Sequence, residues 1–462
     1  MRKDLLAVGV AVVAGAGAVA AVVVSSHDDG GSTANALSST AQNTAATSSG
    51  GTLPTNATTG ASVPGATSTS DGVPVAPPTT TTSPVPATTA ELPPPPSPHG
   101  PRLHAFTVGV VDDSVAQQDQ AAADSAVNLS RRAGFGALAV TTTWKAGLTA
   151  PPPGSLRGVL NAARAAKSAH MRLFIVVWNG LGRNTPRDGA EREQFAQFTA
   201  GVARAIPSAY AVIVGNEPNL STFWKPQFGA GGSDAAAKAY ENLLARTYDA
   251  LKDAAPQVRV VGVGLSPRGA DRPNGIRPTH SPTAFIRDLG AAYRASGRKA
   301  PLMDAFAIHP YMLTSKVPPT VSHPKTTQIT LADYPKLVTL LDEAFRGTPQ
   351  KGRTLPILYT EFGVQTTIPQ DKLAAYETAS ATEALRVSPE LQAAYYRKAL
   401  ALAYCQPTVK GLFIFHTFDE FSLDGWQSGL YYADHTAKAS LPLFRRAVRD
   451  LRHGKLTACR PR

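Results

Sequence analysis

The sequence contains only two cysteines among its 462 residues, Cys405 and Cys459. So few cysteines exclude a scaffold built from several disulfides, and they exclude zinc or iron–sulfur modules with several cysteine ligands. Also missing are an H-E-x-x-H metal motif, a G-x-S-x-G nucleophile elbow, a P-loop, and a G-x-G-x-x-G after the first predicted strand. We therefore expect no metal ion, no cofactor and no serine-hydrolase chemistry.

Acidic residues are in the minority, with 33 Asp and Glu against 45 Lys and Arg, and the formal net charge is +12. Only two basic and five acidic residues precede residue 101, so the positive charge is concentrated in the rest of the chain. Such a surface either solubilises the protein or attracts an anionic envelope polymer. The sequence contains no basic-aromatic module of the kind that binds nucleic acid, and we expect no nucleic-acid partner.

The N-terminal segment from Leu5 to Val24 carries no charged residue and follows Arg2 and Lys3. It is an export signal or a membrane anchor, and its length and the lack of a clear A-x-A cleavage site favour an uncleaved anchor with the basic end inside. Residues 25–102 are rich in Ser, Thr, Ala, Gly and Pro, a composition that predicts a disordered linker. Residues 103–462 are then an extracytoplasmic domain, secreted or attached to the membrane by the N-terminal segment alone.

Eight apolar runs of strand length follow His104, and helix-like stretches separate them. Continuous hydrophobicity favours parallel strands buried on both faces. Ser114 with Gln117, Ser233-Asp234, Ser281-Pro282 and Ser388-Pro389 are candidate helix starts. The pattern predicts an α/β fold, a (β/α)8 TIM barrel, with an open doubly wound sheet as the alternative. The predicted strands are Phe106 to Val111, Leu138 to Thr143, Leu173 to Trp178, Ala211 to Val214, Val258 to Val263, Ala305 to Ile308, Leu355 to Tyr359 and Gly411 to Phe415.

Two glutamates stand at predicted strand ends, Glu217 after the fourth strand and Glu361 after the seventh. A carboxylate beside a buried strand is costly to desolvate, which points to a function. Pro218 is expected to hold Glu217 in an extended conformation. If the two carboxyl groups meet across the barrel mouth, they can flank one bond, as glycoside hydrolysis requires. A loop glutamate paired with an arginine is the alternative for Glu217 alone.

The sixth predicted strand ends in His309-Pro310-Tyr311. The tyrosine hydroxyl could hydrogen-bond a nucleophilic carboxylate and keep it ionised, and His309 could orient a neighbouring group or a sugar hydroxyl. A structural histidine at the barrel rim is the alternative for His309.

Together these motifs resemble clan A of the glycoside hydrolases, including families 5 and 39, over most of the chain after residue 104. The resemblance implies a retaining mechanism, with Glu217 as general acid/base and Glu361 as nucleophile. It further implies that Asn216 binds the sugar 2-hydroxyl and that Tyr311 holds Glu361. Three departures concern the sugar rather than the two glutamates: strand two lacks the usual arginine, strand three ends in Trp178-Asn179, and strand eight ends in His416 instead of tryptophan.

All four tryptophans lie at or just beyond predicted strand ends, where aromatic side chains can stack on the apolar faces of sugars. Trp224 is the preferred platform, Trp426 could replace the missing tryptophan of strand eight, and core packing is the alternative for Trp144 and Trp178. The expected substrate-binding residues are Asn216, His309, Tyr311, Trp144, Trp178, Asn179, Trp224, His416 and Trp426. Arg268, Arg272 and Arg277 form either a solvated loop or a contact for an anionic glycan.

Cys405 and Cys459 are expected to form a disulfide in an exported chain, stabilising the fold by roughly 4 kcal/mol without a catalytic role. The expected protein is a monomeric retaining glycosidase for a β-linked polysaccharide or cell-envelope glycan, which could be anionic. A carbohydrate-binding surface protein without turnover is an alternative from another functional class. Transglycosylation would use the same residues and stays open.

Overall fold

Eight parallel strands form a closed barrel in the computed structural model, which describes residues 106–377, 385–456 and 459. Each strand pairs with the next along the chain, and the last strand pairs with the first. The predicted (β/α)8 fold is confirmed, and the doubly wound sheet is excluded. The strands are β1 (Thr107–Val111), β2 (Ala137–Thr143), β3 (Arg172–Trp178), β4 (Ala209–Val214), β5 (Arg259–Leu265), β6 (Ala305–Ile308), β7 (Ile357–Phe362) and β8 (Val409–Phe415).

A helix follows each strand and packs its apolar side against the barrel. In α5, for example, Phe285, Ile286, Leu289 and Tyr293 are all buried, as their spacing predicts. The helices are α1 (Gln120–Ala133), α2 (Arg157–Ser168), α3 (Gly189–Ala205), α4 (Ala235–Ala254), α5 (Pro282–Ala295), α6 (Tyr334–Phe345), α7 (Pro389–Tyr404) and α8 (Ser440–Arg452).

Three of the four predicted helix starts are confirmed, since the side chains of Asp234, Ser281 and Ser388 cap α4, α5 and α7. The predicted capping box of Ser114 and Gln117 is wrong. Ser114 lies in a short 3-10 turn and donates its hydroxyl to the Asp112 carboxylate. The cap of α1 is Asp119, which accepts a hydrogen bond from Ala122 N–H at 2.9 Å.

The inside of the barrel is filled by alternate residues of its strands, among them Phe174, Val176 and Phe413. At the amino ends of the strands, the guanidinium groups of Arg172 and Arg259 lie 4.8 and 4.4 Å from the centre of the Tyr210 ring. Packed side chains therefore fill the barrel interior up to the mouth, which lies at the carboxyl ends of the strands.

The long connections are at the carboxyl ends of the strands. Residues 215–234, 266–281, 309–333 and 416–439 run from a strand to the following helix, whereas 134–136, 169–171 and 255–258 return from a helix to the next strand. Long loops on one rim provide the surface on which barrel enzymes place their chemistry.

Cys405 and Cys459 form a disulfide with their Cα atoms 5.0 Å apart, so the C-terminal tail is attached to the residue that follows α7. The predicted anchor or signal over residues 1–24 and the predicted linker over 25–102 lie outside the described residues. Within the described residues, no helix is both long enough and apolar enough to cross a membrane.

Candidate active site

Glu217 sits in a tight turn directly after β4. Its N–H donates to the carbonyl of Gly264 at 2.8 Å, and its carbonyl accepts from Leu220 N–H at 2.9 Å. The predicted extended conformation is wrong, because the φ angle of Glu217 is 40°. The two hydrogen bonds hold a backbone conformation that residues other than glycine rarely adopt. This turn still delays the next helix, which begins only at Ala235.

Glu361 belongs to β7 itself, because the strand extends to Phe362, three residues beyond its predicted end. The pairing register with β8 is irregular between Tyr359 and Phe362, at the position of the glutamate. Its side chain is 11% exposed, and so is that of Glu217. Both carboxylates are thus largely removed from water while keeping some access to solvent.

His309 joins the two carboxylates. Its Nδ1 lies 3.1 Å from Oε1 of Glu217 and 3.5 Å from Oε2 of Glu361. The two oxygens can therefore be no farther apart than these two distances laid end to end. That limit is compatible with the roughly 5 to 5.5 Å typical of retaining glycosidases, and it is well below the upper end of the range for inverting ones.

Tyr311 contacts Glu361 from the end of β6, donating its hydroxyl to Oε2 at 3.1 Å. Its ring packs against Trp426 with centroids 4.9 Å apart, and Trp426 also packs edge-on against Phe415. Trp426 is partly exposed. The loop after β8 therefore supplies an aromatic surface beside the carboxylate pair, at the place predicted for a substitute tryptophan.

Burial and neighbouring charges determine the pKa shifts of Glu361 and His309. Burial raises the pKa of Glu361 to about 7, and the charges of Glu217 and Asp113 act in the same direction. His309 and the Tyr311 hydroxyl oppose this shift. Burial by itself lowers the pKa of His309, but the two glutamates outweigh it and the net shift is upward. The site therefore retains protons near neutral pH.

Two predicted sugar platforms are core residues instead. Trp144 is completely buried, donates its Nε1–H to the Leu148 carbonyl at 2.8 Å, and packs against Phe195. Trp224 is 2% exposed and packs against Tyr240. A sugar cannot reach either ring, so these assignments are wrong. A tryptophan after a strand satisfies the packing of the loop as readily as it binds a sugar.

The two residues predicted to bind substrate at the end of β3, Trp178 and Asn179, have different environments. The Asn179 side chain is buried and donates to the carbonyls of Leu181 and Phe223 at 3.0 and 2.9 Å, so it fixes the loop backbone and does not present its amide N–H groups to a substrate. Trp178 alternates with Phe174 and Val176, which face the barrel interior, so its side chain belongs to the mouth.

Asn216 and His416 occupy the expected strand ends. Asn216 is buried beside Glu217, and its contact with a sugar remains a prediction. The ring of His416 lies over that of Phe415, and burial lowers the pKa of His416 to about 4, so the imidazole is neutral at pH 7. Its role as a sugar ligand also remains a prediction.

Two charged residues of the mouth were missed in the sequence, and a third, Arg268, was expected in a solvated loop or at an anionic glycan. Asp113 follows β1, burial raises its pKa to about 6, and its charge acts on Glu361. Burial raises the pKa of Glu420, in the loop after β8, to about 8. Arg268 is partly buried, acts on Glu217 and donates to the Tyr311 carbonyl at 3.4 Å, so a solvated loop does not describe it. For Asp113, the signal that identified Glu217 was present: a carboxylate after a buried strand.

A buried ion pair connects the loops after β7 and β8. Lys438 Nζ lies 2.6 Å from Asp419 Oδ1 with both side chains 0% exposed, and it donates to Thr366 Oγ1 at 2.8 Å. The Tyr376 hydroxyl donates to the other Asp419 oxygen at 2.7 Å. Lys438 also donates to the carbonyl of Gln427, next to the tryptophan platform. The network thus positions the loop that forms one wall of the mouth.

Replacing Lys438 with Met is expected to destabilise the protein by about 3 to 5 kcal/mol, because Asp419 would stay buried without its cation. Urea unfolding of the full chain, followed by tryptophan fluorescence, measures this. The matched control is Lys372→Met, whose partner Asp434 lies 2.9 Å away with side chains 23% and 31% exposed. That exposed pair should contribute at most about 1 kcal/mol. Equal losses in the two variants would contradict the prediction.

No protein-family model matches the chain, and no curated protein matches its sequence. Solved structures do share its fold. GH5_18 from Streptomyces cattleya, in complex with GlcNAc, is 16% identical with a TM-score of 0.52, over 75% of this chain and 80% of that one. A glucosidase from Croceicoccus marinus is 12% identical with a TM-score of 0.51, over 77% and 70%. A β-glucosidase from Thermotoga maritima, in complex with castanospermine, is 12% identical with a TM-score of 0.51, over 75% and 98%. The chain therefore has the (β/α)8 fold of these glycoside hydrolases, as its resemblance to clan A implies.

Proposed function

We propose that the protein is a retaining glycoside hydrolase of clan A that cleaves a β-linked polysaccharide or a cell-envelope glycan. One observation carries the proposal: Glu217, in the turn after β4, and Glu361, in β7, approach the same His309 nitrogen, at 3.1 and 3.5 Å, in the mouth of the barrel. Double displacement at an anomeric carbon requires two carboxyl groups close enough to act on the same bond.

In the first step, the Glu361 carboxylate attacks the anomeric carbon while the bond from that carbon to the leaving oxygen breaks. Glu217 donates its proton to the leaving oxygen, so the departing sugar leaves as an alcohol. The Tyr311 hydroxyl donates a hydrogen bond to Glu361 and so stabilises the ionised form of the nucleophile. The product of this step is a glycosyl ester of Glu361.

In the second step, Glu217 is a carboxylate and takes a proton from water. The water oxygen attacks the anomeric carbon and displaces Glu361, which returns as a carboxylate. The configuration at the anomeric carbon is inverted twice and therefore retained. His309, between both glutamates, acts as a positioning residue that holds their spacing throughout the cycle.

Two features of the chain support a proposal for its location. The disulfide between Cys405 and Cys459 favours an oxidising compartment, and an anchor over residues 1–24 would hold the domain outside the cytoplasm. We propose that the enzyme acts there on an extracytoplasmic glycan, as a monomer. The neutral state of His416 and the aromatic surface of Trp426 suit a sugar ring at the mouth.

The direct test is hydrolysis by the purified full-length chain. The panel comprises β-linked plant and microbial polysaccharides, bacterial envelope glycans and 4-nitrophenyl β-glycosides, with product configuration followed by proton NMR. Hydrolysis that first yields the β-anomer supports the proposal. Binding of a glycan without turnover would instead support the carbohydrate-binding alternative, and first formation of the α-anomer would exclude the retaining mechanism.

The pH profile of kcat/KM should fall on the acid side with a midpoint near 7, because Glu361 must be ionised and burial raises its pKa to about 7. Tyr311→Phe should shift this limb to higher pH, since the hydroxyl lowers the pKa of Glu361. Tyr248→Phe, on the distant helix α4, is the control and should leave the limb unchanged. A wild-type midpoint near the ordinary value of 4.5 would contradict the prediction.

A further inference from the structure

The rim formed by β1, β2 and β3 carries a carboxylate with a defined orientation. Asp113 Oδ1 accepts a hydrogen bond from Thr141 N–H of β2 at 2.6 Å. Val111 of β1 pairs with Ala139 of β2, so Asp113 lies level with Thr141 at the mouth. Asp113 is partly buried rather than enclosed, and its charge acts on Glu361. The carboxylate is thus fixed by the backbone of the next strand while remaining accessible beside the catalytic pair.

The same rim carries a hydrogen-bond donor without an acceptor. Trp178 is 6% exposed, and its alternation with Phe174 and Val176, which face the barrel interior, places its side chain on the inward side of β3. Its Nε1–H is buried and has no hydrogen-bond partner among the residues that the structure describes. A buried donor without a partner is costly, and such groups call for an explanation. An acceptor on a bound ligand would remove this cost.

Carboxyl groups outnumber basic side chains around the mouth, although the chain as a whole carries more basic residues than acidic ones. Asp113, Asp112 and Glu420 add carboxyl groups to Glu217 and Glu361, against the basic side chains of His309 and Arg268. Asp113, whose pKa burial raises to about 6, is mainly ionised at pH 7, whereas Glu420, with a pKa of about 8, is mainly neutral. Strand β2 presents Thr141 N–H to the Asp113 carboxylate at this rim. The carboxylate of an acidic sugar placed against this rim would face the like charge of Asp113.

We propose that the β1–β3 rim is a sugar-binding wall specific for uncharged sugars, in which hydroxyl groups donate to Asp113 and accept from Trp178 Nε1–H. A sugar hydroxyl can both donate and accept, so neighbouring hydroxyls satisfy both protein groups. Sugars with a carboxylate, such as uronic acids, are disfavoured there. The positive charge of the chain then serves surface contacts and not recognition at the cleavage site. This proposal rests on the proposed glycosidase function.

The test compares 4-nitrophenyl β-glucoside, β-galactoside, β-mannoside and β-xyloside with 4-nitrophenyl β-glucuronide and β-galacturonide, using the full chain. The best neutral glycoside should exceed both uronides in kcat/KM by at least about tenfold. Asp113→Asn should lower kcat/KM for that glycoside by about 10- to 100-fold, as for loss of a charged hydrogen bond. It should also shift the acid limb of the pH profile to lower pH, because Asp113 raises the pKa of Glu361.

Two further variants separate binding from folding. Trp178→Phe keeps the ring against Phe223 but removes the donor, and it should raise KM several-fold with little change in kcat. Asp253→Asn, an exposed aspartate of α4, should leave kinetics and pH profile unchanged. Thermal unfolding monitors all three variants. An Asp113→Asn enzyme that matches Asp253→Asn in rate and pH profile would overturn the proposal.

Binding distinguishes failure of this proposal from failure of the proposed function. Saturation-transfer NMR with the same glycosides on Glu217→Gln reports contact without requiring turnover. If neutral glycosides bind through Asp113 but the wild type does not hydrolyse them, the sugar-binding wall is supported and the glycosidase function is rejected. Preferential binding or hydrolysis of either uronide would overturn the wall and leave the glycosidase intact.

Discussion

Replacing Glu361 with Gln is expected to lower kcat/KM for glycoside hydrolysis by about 10⁴-fold or more, the scale of losing a group that forms bonds to the substrate. The amide cannot form the glycosyl ester, and it is nearly equal in size to the carboxyl it replaces. Its neighbours remain: the Tyr311 hydroxyl can donate to the amide oxygen, and His309 keeps Glu217. The loss therefore reports chemistry and not the folding of the barrel.

The control is Glu343→Gln on α6, an exposed glutamate that should retain wild-type kinetics. Replacing Glu361 with Gly leaves space for azide, which should restore turnover of an activated β-glycoside and give the α-glycosyl azide by a single inversion. Labelling of the wild type with a 2-deoxy-2-fluoro β-glycoside should add the sugar to the peptide that contains Glu361. Label on any other carboxylate would contradict the assignment.

The fold could be predicted because its signals are local and repeated. Each strand is a short apolar run buried on both faces, and Asp234, Ser281 and Ser388 cap three helices at their predicted starts. In a closed parallel barrel, every strand delivers its carboxyl end to one rim. The order of the residues along the chain therefore suffices to bring Glu217, His309 and Glu361 to the same mouth.

The side-chain environments could not be predicted in the same way. Trp144 and Trp426 both follow strand-like runs, but Trp144 is fully buried against α3 whereas Trp426 is partly exposed at the mouth. The difference depends on which direction a loop takes, and that depends on contacts distant in sequence. The turn at Glu217 is a similar case. The preference that Pro218 imposes on its neighbour is outweighed by the hydrogen bond to the Gly264 carbonyl, 47 residues away along the chain.

Composition does not show which ionisable groups lie at the mouth. A chain with 45 basic and 33 acidic residues suggests an anionic substrate, yet carboxyl groups outnumber cations around the catalytic pair. Net charge describes the surface as a whole, whereas specificity depends on the few groups within hydrogen-bonding reach of the sugar. The strand-end rule that selected Glu217 selects Asp113 as well, so position in the fold is a better guide to this site than composition.

Replacing Glu217 with Gln is expected to give a loss that depends on the leaving group. Glycosides with alkyl leaving groups need protonation, and their kcat/KM should fall by about 10²- to 10⁴-fold. The dinitrophenolate of a 2,4-dinitrophenyl glycoside leaves without a proton, so the rate of the first step with this substrate should be almost unchanged. The glycosyl ester should then accumulate, and its formation is seen as a burst of dinitrophenolate. Azide should then accelerate turnover and yield the β-glycosyl azide, because azide needs no general base.

This comparison also decides which glutamate is the acid. A pKa of about 7 for Glu361 would suit a general acid too, so the nucleophile role rests on the hydrogen bond from Tyr311 and on the position in β7. If the roles were exchanged, the Glu361 variant would show the burst and the β-azide, and the Glu217 variant would give the α-azide. The turn that fixes Glu217 at φ 40° and strand β7 bring the two carboxylates to the same histidine, whose Nδ1 lies 3.1 Å from Glu217 and 3.5 Å from Glu361. The stereochemistry of the azide products then shows which glutamate is the nucleophile and which is the general acid.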